Sequence, residues 1–196
     1  MEVKQNSAGV AYASLPAASA NTGARIFVSD IGMYGHWFVS DGTSWHPIGP
    51  LVLYTSGAAE TALTGTTAEA VIRSIAIPAG IMRLSGSIYY LITWSMTNSA
   101  DDKSLRVRLG GIAGSIHTGR TVTTNASGQL EGYIQNRGAA NSQISQAGGI
   151  VGVGESTSAV VTGSTDTSVA TTLDITGQLE NAANSITVQR VMVLIY

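Results

Sequence analysis

The sequence predicts an all-β fold: an antiparallel jelly-roll sandwich preceded by an N-terminal arm and a small β-hairpin module. Three observations carry this expectation. First, Met82–Met96, MRLSGSIYYLITWSM, alternates with period two. Met82, Leu84, Gly86, Ile88, Tyr90, Ile92, Trp94 and Met96 share one face, and Arg83, Ser85, Ser87, Tyr89, Leu91, Thr93 and Ser95 the other. That period belongs to a half-buried strand and not to a helix. Second, roughly seven to nine such segments recur at spacings of about 8–15 residues, separated by Gly-rich and polar turns, the pattern of a sandwich or jelly roll. Third, no segment carries the 3.6-residue period of an amphipathic helix.

In chain order, residues 1–22 are small and polar, with Pro16 and Ala pairs, and read as a flexible attachment arm. Residues 23–50 form the hairpin module. Arg25–Val28 is a short strand, and His36–Ser40 and Thr43–His46 flank Asp41-Gly42, a strong hairpin signal. An isolated hairpin is marginal in water, so Tyr34, Trp37, Phe38 and Trp45 are expected to dock on a partner surface. Residues 51–67 read as a linker with one apolar patch, Leu51–Tyr54, and residues 68–196 as the jelly roll. There, Val71–Ile77 is a strand and Pro78-Ala79-Gly80 turns into the central one. At about 3.3 Å per residue, Met82–Met96 is too long for one straight strand, so a bend is expected at Gly86. Leu105, Val107 and Leu109 alternate with Arg106 and Arg108, and Leu173, Ile175 and Leu179 mark another strand. Weaker signals fall at Thr121–Thr124, Gly132–Gln135 and Ala159–Thr162. In the last strand, Ser185–Tyr196, Ile186 and Val188 set one apolar phase, while both faces are apolar from Val191 onward. A strand apolar on both faces is expected to meet its own core on one side and another subunit on the other, with Val191, Val193 and Ile195 at the subunit interface.

Composition narrows the function. Charged residues are 11% of the 196, against about 25% in typical soluble chains. With a net charge of −2, solubility is expected to rest on packing, oligomerisation or burial in an assembly. No basic surplus points to nucleic acid, and no apolar run approaches the ~18 residues of a membrane span. Cysteine is absent, which excludes disulfides and thiolate metal sites. Ala18-Ser19-Ala20 mimics a signal cleavage site, but no apolar core precedes it, so synthesis in a cytosol is expected.

Catalytic and cofactor signatures are weak. His36 and His46 flank the hairpin without a third ligand nearby, whereas zinc takes three or four. Asp101-Asp102 reads as a solvated turn in preference to a calcium cage. Gly148–Gly154 is glycine-rich, but neither Lys-Ser nor Lys-Thr follows, so it is no phosphate loop. The carboxylates Asp30, Asp41, Glu131, Glu155, Asp166 and Asp174 are scattered, and no GxSxG elbow occurs. No enzyme, metal or cofactor is expected. Trp94 falls in the core phase, and Tyr89, beside Ser87 on the polar face, is the expected surface aromatic.

Two stretches resemble tail-fibre and related virion proteins of tailed phages. Gly23–Gly49 is similar to a short fibre module with an R-I-F/Y-V-x-D strand and a W-x-S-D-G-x-x-W-x-P hairpin. Its residues here are Arg25, Ile26, Phe27, Val28, Asp30, Trp37, Ser40, Asp41, Gly42, Trp45 and Pro47. Ile77–Gly80, Arg106–Gly111, Arg137–Gln143, Asp166–Ser168 and the closing strand resemble the C-terminal jelly rolls of such proteins. The resemblance implies a homotrimer in the virion, made in the host cytoplasm, with the closing strand near the threefold axis. The arm and hairpin would bind other virion proteins of tail, baseplate or capsid.

The resulting expectation is a short tail fibre or tip that binds the host surface, with polysaccharide as ligand. The alternative is a capsid decoration protein that stabilises the head; a glycan-cleaving enzyme lacks its carboxylate pair. The loops expected to project are Thr97–Lys103, Ile112–Arg120 and Asn136–Gln146. Their candidate ligand residues are Asn98, Asp101, Asp102, Lys103, His117, Arg120, Asn136, Arg137 and Asn141.

Overall fold

The structure is a computed structural model, and it describes residues 9–146 and 159–196. The first eight residues of the arm and the Gly148–Gly154 stretch lie outside the described residues. Among the described residues, thirteen strands form three antiparallel sheets. β1 (Arg25–Val28), β2 (His36–Ser40) and β3 (Trp45–Pro47) make the small sheet. The sandwich strands are β4 (Leu51–Ser56), β5 (Ala70–Ile77), β6 (Ser87–Met96), β7 (Lys103–Leu109), β8 (Ser115–Val122), β9 (Ser127–Asn136), β10 (Gln143–Ser145), β11 (Val161–Gly163), β12 (Thr171–Leu179) and β13 (Ile186–Ile195).

One sandwich sheet has the order β11-β10-β9-β6-β13-β4 and the other β5-β12-β7-β8. With the short β10 and β11 set aside, the eight long strands pair first-eighth-third-sixth and second-seventh-fourth-fifth. That is the winding of a jelly roll, two Greek keys wrapped into facing sheets. β4 is its first strand and pairs with β13, so the segment expected as a linker begins with a sandwich strand. Only six residues make β4, too few for periodicity to separate a strand from an apolar patch.

The core lies between the two sheets. Ile88, Tyr90, Ile92 and Trp94 on β6 and Val191, Val193 and Ile195 on β13 face Leu105, Val107 and Leu109 on β7 and Leu173 and Ile175 on β12, all at 1% exposure or less. Trp94 is therefore core. Gly128 and Gly132 on β9 stand across from Trp94 and Tyr90, and a methyl group at either position would collide with those rings. β6 begins after Gly86, not at Met82. Residues 81–85 form a turn in which the Gly86 N–H donates to the Met82 carbonyl at 2.8 Å. A Cβ at Gly86 would collide with that same carbonyl, so Gly86→Ala is expected to cost about 1–3 kcal/mol by forced backbone displacement. Urea denaturation of the variant checks this; an unchanged midpoint would refute the close approach.

Val191, Val193 and Ile195 require a correction. They point into the core of their own chain and are not available to another subunit. A β-bulge between Val188 and Arg190 is the reason. It inserts one residue, and a one-residue shift in a strand reverses which face every later side chain takes. The inward set therefore changes from Ile186 and Val188 to Val191, Val193 and Ile195, and Met192, Leu194 and Tyr196 turn outward.

The arm is also not free over the residues described. Val10 bridges in parallel to Val28, and its N–H and C=O bond Phe27 and Ser29, each at 3.0 Å. Tyr12 packs on Phe38 with ring centroids 5.7 Å apart, and the Trp45 indole N–H donates to the Pro16 carbonyl at 2.7 Å. Two of the four aromatics expected to dock on a partner are thus covered by the chain's own arm. The three-stranded sheet is too small to bury them by itself, and the preceding residues supply the missing surface. The module in turn caps the sandwich edge: the Met33 N–H donates to the Val52 carbonyl on β4 at 3.2 Å. Ile31 is buried at 1% exposure at this end. An edge covered in this way cannot pair with a stray strand.

Candidate functional site

The two outer faces of the sandwich differ in chemistry. On the four-stranded sheet, β7 presents Arg106 and Arg108 and β12 presents Thr176 and Gln178, all gathered around Glu69. Arg108 grips Glu69 with two bonds, Nε to Oε1 at 2.8 Å and Nη2 to Oε2 at 2.9 Å. Arg106 reaches Glu69 at 3.0 Å and Gln178 at 3.0 Å. The Arg108 bonds hold the Glu69 carboxyl below the usual carboxylate range against the opposing effect of burial. Charges satisfied among themselves leave this part of the face closed.

Beside that network, Asp102, Ser104, Arg106, Thr121, Gln178 and Glu180 line a shallow polar groove of about 400 Å³. Hydroxyls, an amide and carboxylates in one groove suit the hydroxyl groups of a saccharide.

The outer face of the six-stranded sheet carries an apolar patch at its centre, bordered by polar residues of β6 and β9. Cross-strand partners place Val52, Leu194, Tyr89 and Tyr133 in one row across β4, β13, β6 and β9, and Met192, Leu91 and Glu131 in the next. Tyr133 packs at a tilt against Tyr89, with ring centroids 4.9 Å apart, and lies 6.5 Å from Tyr196. Tyr133 and Tyr196 remain 53% and 43% exposed. Tyr89, the expected surface aromatic, lies on this face. Its hydroxyl donates to Glu131 at 2.8 Å, and partial burial together with that bond pushes its phenol up to about 12.

The residues expected in projecting loops divide. Asn98, Asp102, Arg137 and Asn141 are exposed, and Asp101 and Arg120 are half-buried. Lys103, His117 and Asn136 are buried and are corrected here. Lys103 opens β7 and turns its ammonium back into the preceding loop, donating to the carbonyls of Ser99 at 3.1 Å and Asp101 at 2.5 Å and to Ser99 Oγ at 2.9 Å. It holds the loop from within, in a site where burial is tolerated because its donors are met. Asp101 likewise accepts from Asn184 at 2.8 Å.

Asn136 ends β9 and donates to the Arg83 carbonyl and to Thr167 Oγ1. Gln143 donates to Asn136 Oδ1 and to the carbonyls of Ala140 and Thr165. The Arg137–Gln143 and Asp166–Ser168 motifs thus include residues that tie one turn to the sandwich.

The expected loop Ile112–Arg120 is mostly strand, since β8 starts at Ser115. His117 sits on it with no exposed surface, Nδ1 at 3.0 Å from Ser145 Oγ, and burial pushes the imidazole down to about 4. Its Nε2 and Gln143 Oε1 are both buried without a hydrogen-bond partner. In the module, Tyr34 is 73% exposed and Trp37 38%, with Trp37 edge-on to Phe27 at 5.6 Å. No group of three or more metal-type ligands converges among the described residues, and no helix there is long and apolar enough to cross a membrane.

The groove residues Ser104, Arg106 and Gln178 escaped sequence reasoning because they lie on strands and converge only across β7 and β12. Tyr133 and Tyr196 escaped it because the phase of their strands was ambiguous. Arg83 gave no sequence signal beyond its place in an alternating run.

The geometry defines an all-β jelly-roll protein with a hairpin module fastened to one end. No family model matches the chain, and no curated protein matches it. Among solved structures it is similar to one described as the structure of infectious bursal disease virus Gx strain, at 11% identity and a TM-score of 0.36. That likeness covers 82% of this chain, which spans 41% of the viral one.

Proposed function

We propose that this chain is a structural protein of a tailed-phage virion, a short tail fibre or fibre tip that attaches to host-surface polysaccharide and performs no catalysis. The observation that carries the reading is the apolar, tyrosine-bearing patch on the outer face of the six-stranded sheet. An antiparallel sheet with one solvated face normally alternates apolar-in, polar-out. Here Leu91, Met192 and Leu194 break that rule together, on a chain with few charges to keep it apart from its own copies. A second and a third copy of the chain are the occupants proposed, which accords with the trimer implied by the fibre-like motifs. The module, with Tyr34 and Trp37 outward, joins the neighbouring virion protein. The exposed loop residues and the polar groove on the opposite sheet face the host.

Leu194→Asp tests the assembly. It is expected to leave the circular dichroism spectrum intact and convert trimer to monomer by light scattering; an unaltered trimer, or a wild-type chain that is monomeric throughout, refutes this interface. Purified protein is further expected to compete with phage for adsorption to host cells. Absence of competition, with label spread over the head of intact particles, would make this a decoration protein instead.

A further inference from the structure

Where the hairpin module meets the sandwich, Ser44, His46, Arg83, Leu84, Ser85 and Gly86 line a cleft of about 290 Å³. Arg83 is the chemical centre of it. Among the described residues it alone, apart from glycines, has a positive φ, 51°, in the left-handed region that an arginine rarely adopts. Such conformations persist where the surroundings hold them, and they cluster at binding sites. Its Nη1 donates to His46 Nδ1 at 2.5 Å, and its Nε is buried with no acceptor. No carboxylate lies within ion-pair distance of it among the described residues.

The acceptor role of Nδ1 means that His46 carries its proton on Nε2, which faces Asp41 Oδ2 at 2.5 Å. Asp41 is in turn occupied by the N–H groups of Thr43 and Ser44, each at 2.7 Å. The nearest carboxylate of this network is therefore one imidazole ring away from the guanidinium and already engaged. The Ser44 hydroxyl lies at 2.9 Å from the same ring. At the rim, the Gly138 N–H donates to the Leu84 carbonyl at 2.8 Å, which fastens the turn after β9 to the edge of the cleft.

We propose that this cleft binds the carboxylate of an acidic sugar. A guanidinium without a counter-charge and a neighbouring hydroxyl match a planar oxyanion carried on a hydroxylated ring. The assignment to a sugar rests on the polysaccharide reading above.

The test is a titration of the full chain with sodium glucuronate at constant ionic strength, followed in ¹H–¹⁵N spectra, with glucose and acetate as controls. Saturable shifts of the Arg83 side chain and of the Ser44 and Ser85 amides are expected with glucuronate, weaker ones with acetate and none with glucose. Arg83→Gln is expected to weaken binding at least about tenfold, the worth of a charge-assisted hydrogen bond. Leu84→Glu sets a competing carboxylate at a rim position that is 58% exposed, so it reports even where Arg83→Gln fails to fold, and the same loss is expected. No saturable shift in the wild type, equal response to glucose, or unchanged affinity in both variants overturns the site. Acetate binding as tightly as glucuronate overturns the assignment to a sugar. Glucuronate binding that persists while adsorption competition fails overturns the fibre reading alone.

Discussion

Val193→Asp is expected to unfold the jelly roll outright, not to separate its subunits. Val193 has no exposed surface and sits between Tyr54 on β4 and Tyr90 on β6 in the sheet, facing the core. A carboxylate there has no partner, and a buried group without one costs several kcal/mol even after it takes up a proton. Domains of this size are stable by only about 5–15 kcal/mol in total, so most of the reserve is spent by one substitution. The expected result is an insoluble or molten chain, read by loss of near-ultraviolet dichroism from Trp94 and by urea denaturation. Its neighbour Leu194→Asp, one residue along and on the other face, is expected to remain folded. If both variants fold and both merely dissociate, the inward assignment of Val191, Val193 and Ile195 is wrong.

Acidification is expected to produce the second largest effect, through His117. Burial depresses its folded-state pKa to about 4 from the ordinary imidazole value of 6.5. Above pH 6.5 the imidazole is neutral in both states and contributes no pH dependence. Below 6.5 the unfolded chain takes up a proton that the folded chain refuses, so stability falls as pH drops, until the folded form also protonates near 4. At 1.36 kcal/mol per unit, the loss across this window is about 3 kcal/mol. Asp41, Glu69 and Asp166 are also held below the usual carboxylate range, so they too lose stability in acid, but through lower pH. His117→Gln isolates the imidazole. Urea midpoints of the wild type are expected to fall steeply between pH 6.5 and 4.5, and those of the variant to stay nearly level. Parallel curves would mean that the carboxylates alone govern acid stability.

The loop candidates show why site residues were harder to read than strands. Lys103, His117 and Asn136 are polar residues in polar stretches, and composition places such residues at the surface. Lys103 and Asn136 are buried because particular partners meet their polar groups, the Ser99 and Asp101 carbonyls for Lys103 and Arg83, Thr167 and Gln143 for Asn136, whereas His117 is met by Ser145 at Nδ1 alone. For His117 and Asn136 the partners lie up to 53 residues away in the chain, and for Lys103 they are close by but meet it only through the fold of the loop. Arg106 is the converse case, a strand residue that becomes part of a groove because β12 lies alongside.

The sequence by itself determined the fold class and the strongly alternating strands. Period-two alternation in β6, β7 and β13 and the Asp41-Gly42 turn are local properties, set by side-chain direction along a pleated chain and by the backbone needs of a tight turn. It also determined that the closing strand is apolar on two faces. Only the tertiary structure decided which face is which, because one inserted residue at the Val188–Arg190 bulge reverses the phase and leaves no mark in composition. Only the tertiary structure joined β4 to the sandwich, laid the arm over Phe38 and Trp45, and brought Arg83 to His46. Each of those is a contact between segments far apart in the chain, chosen by which surfaces were left uncovered after the strands had formed.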